Sequence, residues 1–389
     1  MSAFWQGTEP EMPPRNDLTE NEKTILDMIV ANPFSSQKEL SERCGLPRPT
    51  LAAHIGQLTR KGYLLGRAYV VAEQGRFVCI GGAAIDRKFC LAGPMVPGTS
   101  NPAVGHTTFG GVARNVCENL VRLGQGCSLL SVVGDDHTGH ALVEHIRSCG
   151  ADTSRILLAQ GQSTAEYVAI LDSDFDLGVG VFDSSVSELL NVEYLQKNAA
   201  MIASAKWVFA DCNVSPDVLA WLVTEVGRSP ARLVFDTVSI SKARRLRGHL
   251  NGVDVLFTNR DEAILLLDGA QSFTIPEIAT ALVRAGVGTA IITEGSEGLT
   301  VADSNGARRI PAVSAAVIDV TGAGDALVAA TLTGLMAGED IDAACRQGIA
   351  AAAMTIGCRE SVNPELTHEA LQKFMKNPVF PSSYKERTV

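Results

Sequence analysis

The 389 residues carry 33 Lys and Arg against 43 Asp and Glu, a net charge of −10, with 46% apolar and 20% charged positions. That is a globular composition, long enough for one large domain plus a small one, and its charge argues against bulk affinity for nucleic acid. It contains no apolar run of about eighteen residues that would span a membrane. Residues 1–16 lack a basic stretch followed by an apolar core and read as a loose tail, not a signal peptide. Nine cysteines without a C-x-x-C pair, most inside apolar runs such as Phe77-Val78-Cys79-Ile80, read as buried free thiols of a reducing cytoplasm.

In chain order, Thr19 and Glu22 form a capping box ahead of a helix that buries Ile25, Leu26 and Ile29 and stops near Asn32-Pro33. Ser36 and Glu39 repeat the box for a second helix ending at Cys44-Gly45. A third helix is predicted from Pro49 to Lys61, with proline in its first turn and Gly62 just past its end. Leu51, Ile55 and Leu58 share its apolar face; Thr50, His54, Gln57 and Lys61 share the other. From Arg43 to Arg67 four Arg and one Lys stand without an acid between them, and Tyr63–Val71 alternates around Gly66 as a two-stranded wing would. This order is that of a helix-turn-helix, and residues 17–75 resemble the winged-helix domains of bacterial regulators. The resemblance implies a duplex DNA partner read by the third helix. Thr50, His54 and Gln57 suit base edges, and Arg48, Arg60, Lys61 and Arg67 suit phosphates.

From Arg76 onward, strands and helices alternate. Apolar strands are predicted at Leu129–Val133, Trp207–Ala210, Leu233–Phe235, Val253–Phe257 and Thr289–Thr293, with helices between them at positions such as Val112–Leu123 and Pro216–Val226. The pattern predicts a mostly parallel sheet covered on both faces. Glu166–Leu171 and Leu177–Phe182 flank Asp172–Asp176 and read as a β-hairpin. Gly178 falls one position late for a calcium loop and no Glu closes it, so the aspartates read as a solvated tip.

The strongest chemical signal is Asp319-Val320-Thr321-Gly322-Ala323-Gly324-Asp325, followed by a helical run over Ala326–Met336. Two glycines let the backbone turn tightly, and a new helix aims unpaired N–H groups at the turn, making an anion site. An aspartate at its rim makes sense as the base that takes a proton from a hydroxyl attacking a phosphate.

The heptad resembles the D-T-x-G-A-G-D signature of the PfkB, or ribokinase-like, carbohydrate kinases, departing only at Val320. Three further matches follow in family order: Gly81 with Asp86, Gly110-Gly111-Val112-Ala113-Arg114-Asn115 as G-G-x-x-x-N, and Asn259-Arg260-Asp261-Glu262 as N-x-x-E. The resemblance covers residues 76–380 and leaves 381–389 as a tail. It implies a three-layer α/β/α ribokinase-like fold with a small β lid, and a homodimer through that lid. It assigns catalysis to Asp325 and to the amides of Gly322, Ala323 and Gly324. Substrate falls to Asp86, Gly110, Gly111, Asn115 and Asn213, and Mg²⁺ to Asn259 and Glu262. Thr293-Glu294-Gly295-Ser296-Glu297-Gly298 resembles the family's nucleotide turn, so Thr293, Gly295, Gly298 and Thr321 are implied to bind ATP. Ser361–Pro364 is implied to close the adenine pocket through Asn363, or to bind a monovalent cation such as K⁺ together with Asp319.

Val112 stands where ribokinases carry lysine. Ser100-Asn101-Pro102, Ala210-Asp211-Cys212-Asn213 and Asp236-Thr237-Val238-Ser239 instead resemble the pseudouridine kinase branch. The reading is therefore a cytoplasmic ATP-dependent kinase of a 5′-hydroxyl, pseudouridine first, with DNA binding for transcriptional control. Two alternatives stay open: a kinase of another ribonucleoside or sugar, and a metabolite-sensing regulator on a kinase fold.

Overall fold

A computed structural model describes residues 18–31, 35, 37–61, 63–64, 76–172, 176–267 and 270–376. The chain divides into two compact units between Val71 and Ala72. Among the described residues no helix is long and apolar enough to cross a membrane.

The first unit holds α1 (Glu20–Ala31), α2 (Gln37–Cys44) and α3 (Arg48–Arg60). Ile25, Leu26, Leu40, Leu51 and Leu58 meet in its core, each at most 2% exposed. At the start of α1 the Thr19 N–H donates to Glu22 Oε2 at 2.8 Å, and the Glu22 N–H donates to Thr19 Oγ1 at 3.3 Å, which is the capping box read from sequence. Helix α3 starts and ends one residue earlier than the pattern predicts. Lys61 becomes its C-cap, donating its N–H to Gln57 O. The Lys61 side chain also corrects the sequence reading. Its ammonium lies 2.9 Å from Glu22 Oε2, on a carboxylate only 3% exposed. The Thr19 N–H first, then Lys61, hold that carboxyl at a pKa of about 2. Lys61 therefore braces α3 to α1 and does not stand free for a phosphate. Arg48, Thr50, Gln57 and Arg60 are exposed and His54 is half-buried. The Ser36 box, the Asn32-Pro33 stop, Gly62 and the wing beyond Leu64, with Arg67, lie outside the described residues.

The second unit opens with β1 (Phe77–Ile80), β2 (Ala84–Leu91), β3 (Ala103–Gly110), α4 (Val112–Arg122), β4 (Cys127–Gly134), α5 (His137–Ser148), β5 (Ile156–Ala159), β6 (Glu166–Leu171) and β7 (Leu177–Asp183). There follow α6 (Val192–Lys197), α7 (Ala199–Ser204), β8 (Trp207–Asp211), α8 (Pro216–Val226), β9 (Arg232–Asp236), α9 (Ile240–Ala243), β10 (Val255–Asn259) and α10 (Arg260–Leu266). The unit closes with α11 (Ile275–Arg284), β11 (Thr289–Thr293), β12 (Leu299–Asp303), β13 (Gly306–Ile310), α12 (Ala323–Ala337), α13 (Ile341–Thr355) and α14 (His368–Lys376).

Nine strands form one sheet in the order β13-β12-β11-β10-β9-β8-β1-β4-β5. The seven from β11 to β5 pair in parallel, and β12 and β13 add an antiparallel edge. Side chains alternate across a strand, so β1 sends Phe77 and Cys79 to one face and Val78 and Ile80 to the other. Phe77 and Cys79 pack with apolar residues of α4, α5, α12, α13 and α14. Val78 and Ile80 pack with those of α6, α7, α8, α10 and α11. Strands buried on both faces read as continuous apolar runs, which is why their sequence reading is close: β11 and α8 coincide with it. Strand β10 starts two residues late, at Val255, because the preceding Leu250–Val253 is still turning back on itself.

A second sheet, β3-β2-β6-β7, makes the lid. Only its β6–β7 hairpin is evident from sequence; residues 173–175 at the tip lie outside the described residues. Strands β2 and β3 escape the pattern because Asp86-Arg87-Lys88 interrupts the apolar alternation. Asp86 and Lys88 turn toward Gly110 and Asp319, while Arg87 takes the opposite face and pairs with Glu166.

Candidate active site

The C-terminal ends of the parallel strands form one rim, the usual ligand edge of an open α/β sheet. In register across it lie Ile80 with Ala210, Asp211 with Asp236, Phe257 with Asp236, and Asn259 with Thr293. Asp211, fully buried, organises the centre. It accepts the N–H groups of Gly82 at 2.9 Å, Ala113 at 2.8 Å and Asn213 at 2.9 Å, tying the turn after β1 and the start of α4 to the end of β8. Sequence reading quotes it within Ala210–Asn213 but gives it no role, although a lone aspartate ending the run Trp207–Ala210 is a legible signal.

The heptad delivers the reactive group. Helix α12 begins at Ala323, three residues before the predicted run, so Ala323, Gly324 and Asp325 are its first turn, with Gly322 as a left-handed cap (φ +79°) that offers no side chain. First-turn amides of a helix lack intrahelical acceptors; here the Ala323 N–H turns back to Val320 O at 3.3 Å, leaving those of Gly324 and Asp325 for an anion. Asp325 is buried and accepts the Asn115 Nδ2–H at 2.7 Å. Burial pushes its carboxyl up to about 7; the Asn115 bond and the Arg114 charge pull it down, while Asp211 and Asp86 push it up further. A carboxylate poised near neutrality, beside open backbone donors, can accept a hydroxyl proton while charge builds on a phosphoryl group.

On one side lies the region read as substrate-binding. Asp86 on β2 faces Gly110, where a Cβ would stand 2.3 Å from Asp86 Oδ2. Burial raises the Asp86 carboxyl, against the charges of Arg114 and Lys88. Gly111 caps α4, which carries Asn115. Asn115 has a contact its reading does not include: its amide nitrogen donates to Asp325, and its Oδ1, buried without a partner, remains to receive a donor. Asn213 Oδ1 accepts from the Lys242 ammonium, so that side chain is shared with α9. Arg114, silent within its motif, is 2% exposed. It donates to Gly110 O at 3.3 Å and to Phe109 O, and pairs with Glu118 at 2.5 Å. Burial alone would raise Glu118, but the His145 bond and the arginine charges hold it at about 2.

On the other side, Asn259 caps α10 and Glu262 closes the box, with Asn259 Nδ2 donating to Glu262 Oε1 at 2.7 Å and Thr237 Oγ1 donating to Oε2. Both residues line a cavity of about 610 Å³ with Val238, Ser239, Ile240, Ser241 and Arg244. Val238 adopts φ +67°, alone in this respect among described non-glycine residues, and its N–H donates to Asp236 Oδ1 at 2.7 Å. Burial, then Asp325, raises the Asp236 carboxyl well above its ordinary value. Among the described residues, Asp211, Asp236, Glu262 and Asp325 have no ion-pair partner. Thr293 reaches only Thr258 O, at 3.4 Å. Gly295 and Gly298 bound a tight turn closed by Glu294 N–H to Gly298 O at 2.8 Å. Asn363 Nδ2 donates to Met354 O and its Oδ1 accepts the Glu365 N–H, both at 2.9 Å, so the amide braces its own loop.

Comparison with known proteins agrees with this layout. A model of winged helix-turn-helix DNA-binding domains matches residues 18–64. The chain is 29% identical over 353 residues to the uncharacterized sugar kinase YeiI of Escherichia coli strain K12, covering 90% of this chain and 97% of that one. It is 31% identical over 300 residues to the pseudouridine kinase of the same organism, covering 76% and 95%. Among solved structures, a carbohydrate kinase from Agrobacterium tumefaciens superposes with a TM-score of 0.68 at 27% identity, covering 78% of this chain and 97% of that one. Arabidopsis thaliana ribokinase, complexed with ribose and ATP, gives 0.68 at 19%, covering 78% and 99%. The pfkB family carbohydrate kinase model matches residues 74–368, the segment that supplies the sheet, the lid and every strand-end residue described above; the chain belongs to that family and is a sugar or nucleoside kinase.

Proposed function

We propose that this protein transfers the γ-phosphoryl group of ATP to the 5′-hydroxyl of a ribonucleoside, pseudouridine before others. The observation that carries the reading is Asp325: a buried carboxylate with its pKa near 7, on the first turn of a helix beside the Gly324 amide. Asp86, Gly110, Gly111 and the open Oδ1 of Asn115 hold the ribosyl hydroxyls, with Asn213 nearby. Asp325 takes the 5′-hydroxyl proton as the oxygen attacks phosphorus, and the 322–325 amides meet the charge on the transferring group. Ser239, Ser241 and Arg244 offer polyphosphate donors beside Glu262, and Thr293, Gly295, Gly298 and Thr321 complete the nucleotide side. The unpaired carboxylates at the strand ends fit Mg²⁺, which Asn259 and Glu262 would hold through its waters. When bound, it would neutralise phosphate charge.

Pseudouridine is favoured by the branch-like stretches, by Val112 in place of lysine, and by the 31% identical pseudouridine kinase. In an ATP-consumption panel, pseudouridine should give a higher kcat/KM than uridine, inosine, ribose or fructose 6-phosphate. Ranking it below uridine, inosine and ribose would reject the substrate and keep the kinase.

The first unit is proposed to bind duplex DNA through α3. Its exposed Thr50 and Gln57, with His54, suit base edges, and Arg48 and Arg60 suit phosphates. Arg60→Ala should flatten the log–log salt dependence of binding by about 0.9, whereas Gln57→Ala should blur sequence preference and leave the slope intact. Selection from a random duplex library, followed by salt titration, measures both. No enrichment by the full-length protein, with or without nucleoside and ATP, would assign the unit to protein contacts instead.

A further inference from the structure

The family resemblance sets a monovalent cation beside Asp319, and the residues present do not fit one. Lys88, on lid strand β2, places its ammonium 2.5 Å from Asp319 Oδ2 and 2.8 Å from Thr321 Oγ1. The remaining carboxylate oxygen, Oδ1, accepts the Thr321 N–H at 2.8 Å. Both oxygens already accept hydrogen bonds, one of them from a cation, and the Asn363 amide braces its own loop.

The pair is not a loose surface bridge. Lys88 and Asp319 side chains are 23% and 25% exposed, where screening by salt is weaker than in open water. Burial would raise the Asp319 carboxyl, yet the bonds from Lys88 and Thr321 hold it below the usual range. His106 sits opposite Lys88 on β3, and its Nε2 lies 3.9 Å from Glu360 on the loop that backs the heptad. That loop also presses on Gly322, where a Cβ would stand 1.8 Å from Ser361 O. The heptad is thus held between a lid lysine and the Ser361 backbone.

A lysine ammonium is a compact unit charge with three rotatable donors, and it resembles a potassium ion in size and charge. We propose that Lys88 is the resident cation of the anion-hole loop: its ammonium orders Asp319 and Thr321 and cancels the Asp319 charge beside the loop, so the reaction needs no monovalent metal ion. The proposal rests on the kinase reading and adds the ion requirement of the same site.

The test compares full-length wild type and Lys88→Ala in tetramethylammonium, sodium and potassium chloride at equal ionic strength, with Mg²⁺ATP and the best substrate of the panel. Wild-type kcat should agree within about two-fold across the salts, while Lys88→Ala should lose about ten-fold or more in tetramethylammonium and regain several-fold in potassium. Melting provides a readout apart from activity. A vacated site that binds K⁺ should raise the melting temperature of Lys88→Ala in potassium over tetramethylammonium, with no such shift in wild type. Wild type stimulated about ten-fold by potassium would overturn the proposal. So would a folded Lys88→Ala that potassium neither reactivates nor stabilises. If wild type phosphorylates nothing in any salt, the kinase reading falls, and the melting comparison still decides the cation.

Discussion

Replacing Asp325 with asparagine is expected to lower kcat by about 10²–10⁴ while leaving substrate and nucleotide dissociation constants within a few-fold. The amide is nearly isosteric and its oxygen can still accept the Asn115 Nδ2–H, which spans 2.7 Å in the native site. What it lacks is a lone pair basic enough to take the hydroxyl proton. The same group sets the pH dependence. Burial raises its pKa to about 7, and only the deprotonated form is a base. The kcat/KM of wild type should therefore fall about ten-fold per pH unit on the acid side, with its midpoint near that value, and level off above it. The acid limb should vanish in Asp325→Asn. Wild-type turnover by this variant at saturating Mg²⁺ATP, or an acid limb that survives in it, would remove Asp325 from the base role.

Gly322→Ala is expected to cost about 10²–10³ in kcat, comparable to losing a preorganised oxyanion donor. At φ +79° an L-residue is strained, and the added Cβ would meet Ser361 O at 1.8 Å, a backbone atom without the freedom of a flexible side chain. The cap of α12 must shift, and the Ala323, Gly324 and Asp325 amides shift with it. Gly338→Ala supplies the control. It caps the other end of the same helix at φ +86°, and its new side chain meets nothing. It should cost about 1 kcal/mol of stability through backbone strain and leave kcat unchanged. Equal kcat losses in the two variants would mean that the effect comes from helix stability and not from loop geometry.

The parts of this site that were legible in the sequence are those whose chemistry is local. The heptad, the G-G-x-x-x-N turn and the N-x-x-E cap each compress a turn and a helix start into a few residues, and the buried parallel strands announce themselves as apolar runs. What escaped acts across the fold. Lys88 meets Asp319 from 231 residues away, and nothing in Asp86-Arg87-Lys88 distinguishes such a lysine from one in solvent. Lys61 misled for the same reason. Its helical position points outward on a wheel, but Glu22, 39 residues earlier, captures it. Asn115 was recognised as functional, yet its bond to the base, 210 residues on, was not readable from a motif that assigns it to substrate.

The three backbone bonds to Asp211 also bear on how the protein acquires activity during folding. Two of them join residues 129 and 98 positions apart, and they close only when β1, β8 and α4 have docked in the central sheet. Contacts of such long range form after the chain entropy of closing large loops has been overcome. An intermediate with intact helices and local hairpins could already hold the local Asn213 bond but would still lack those from Gly82 and Ala113. Within the second unit, catalytic competence therefore waits on the docking of β1, β8 and α4.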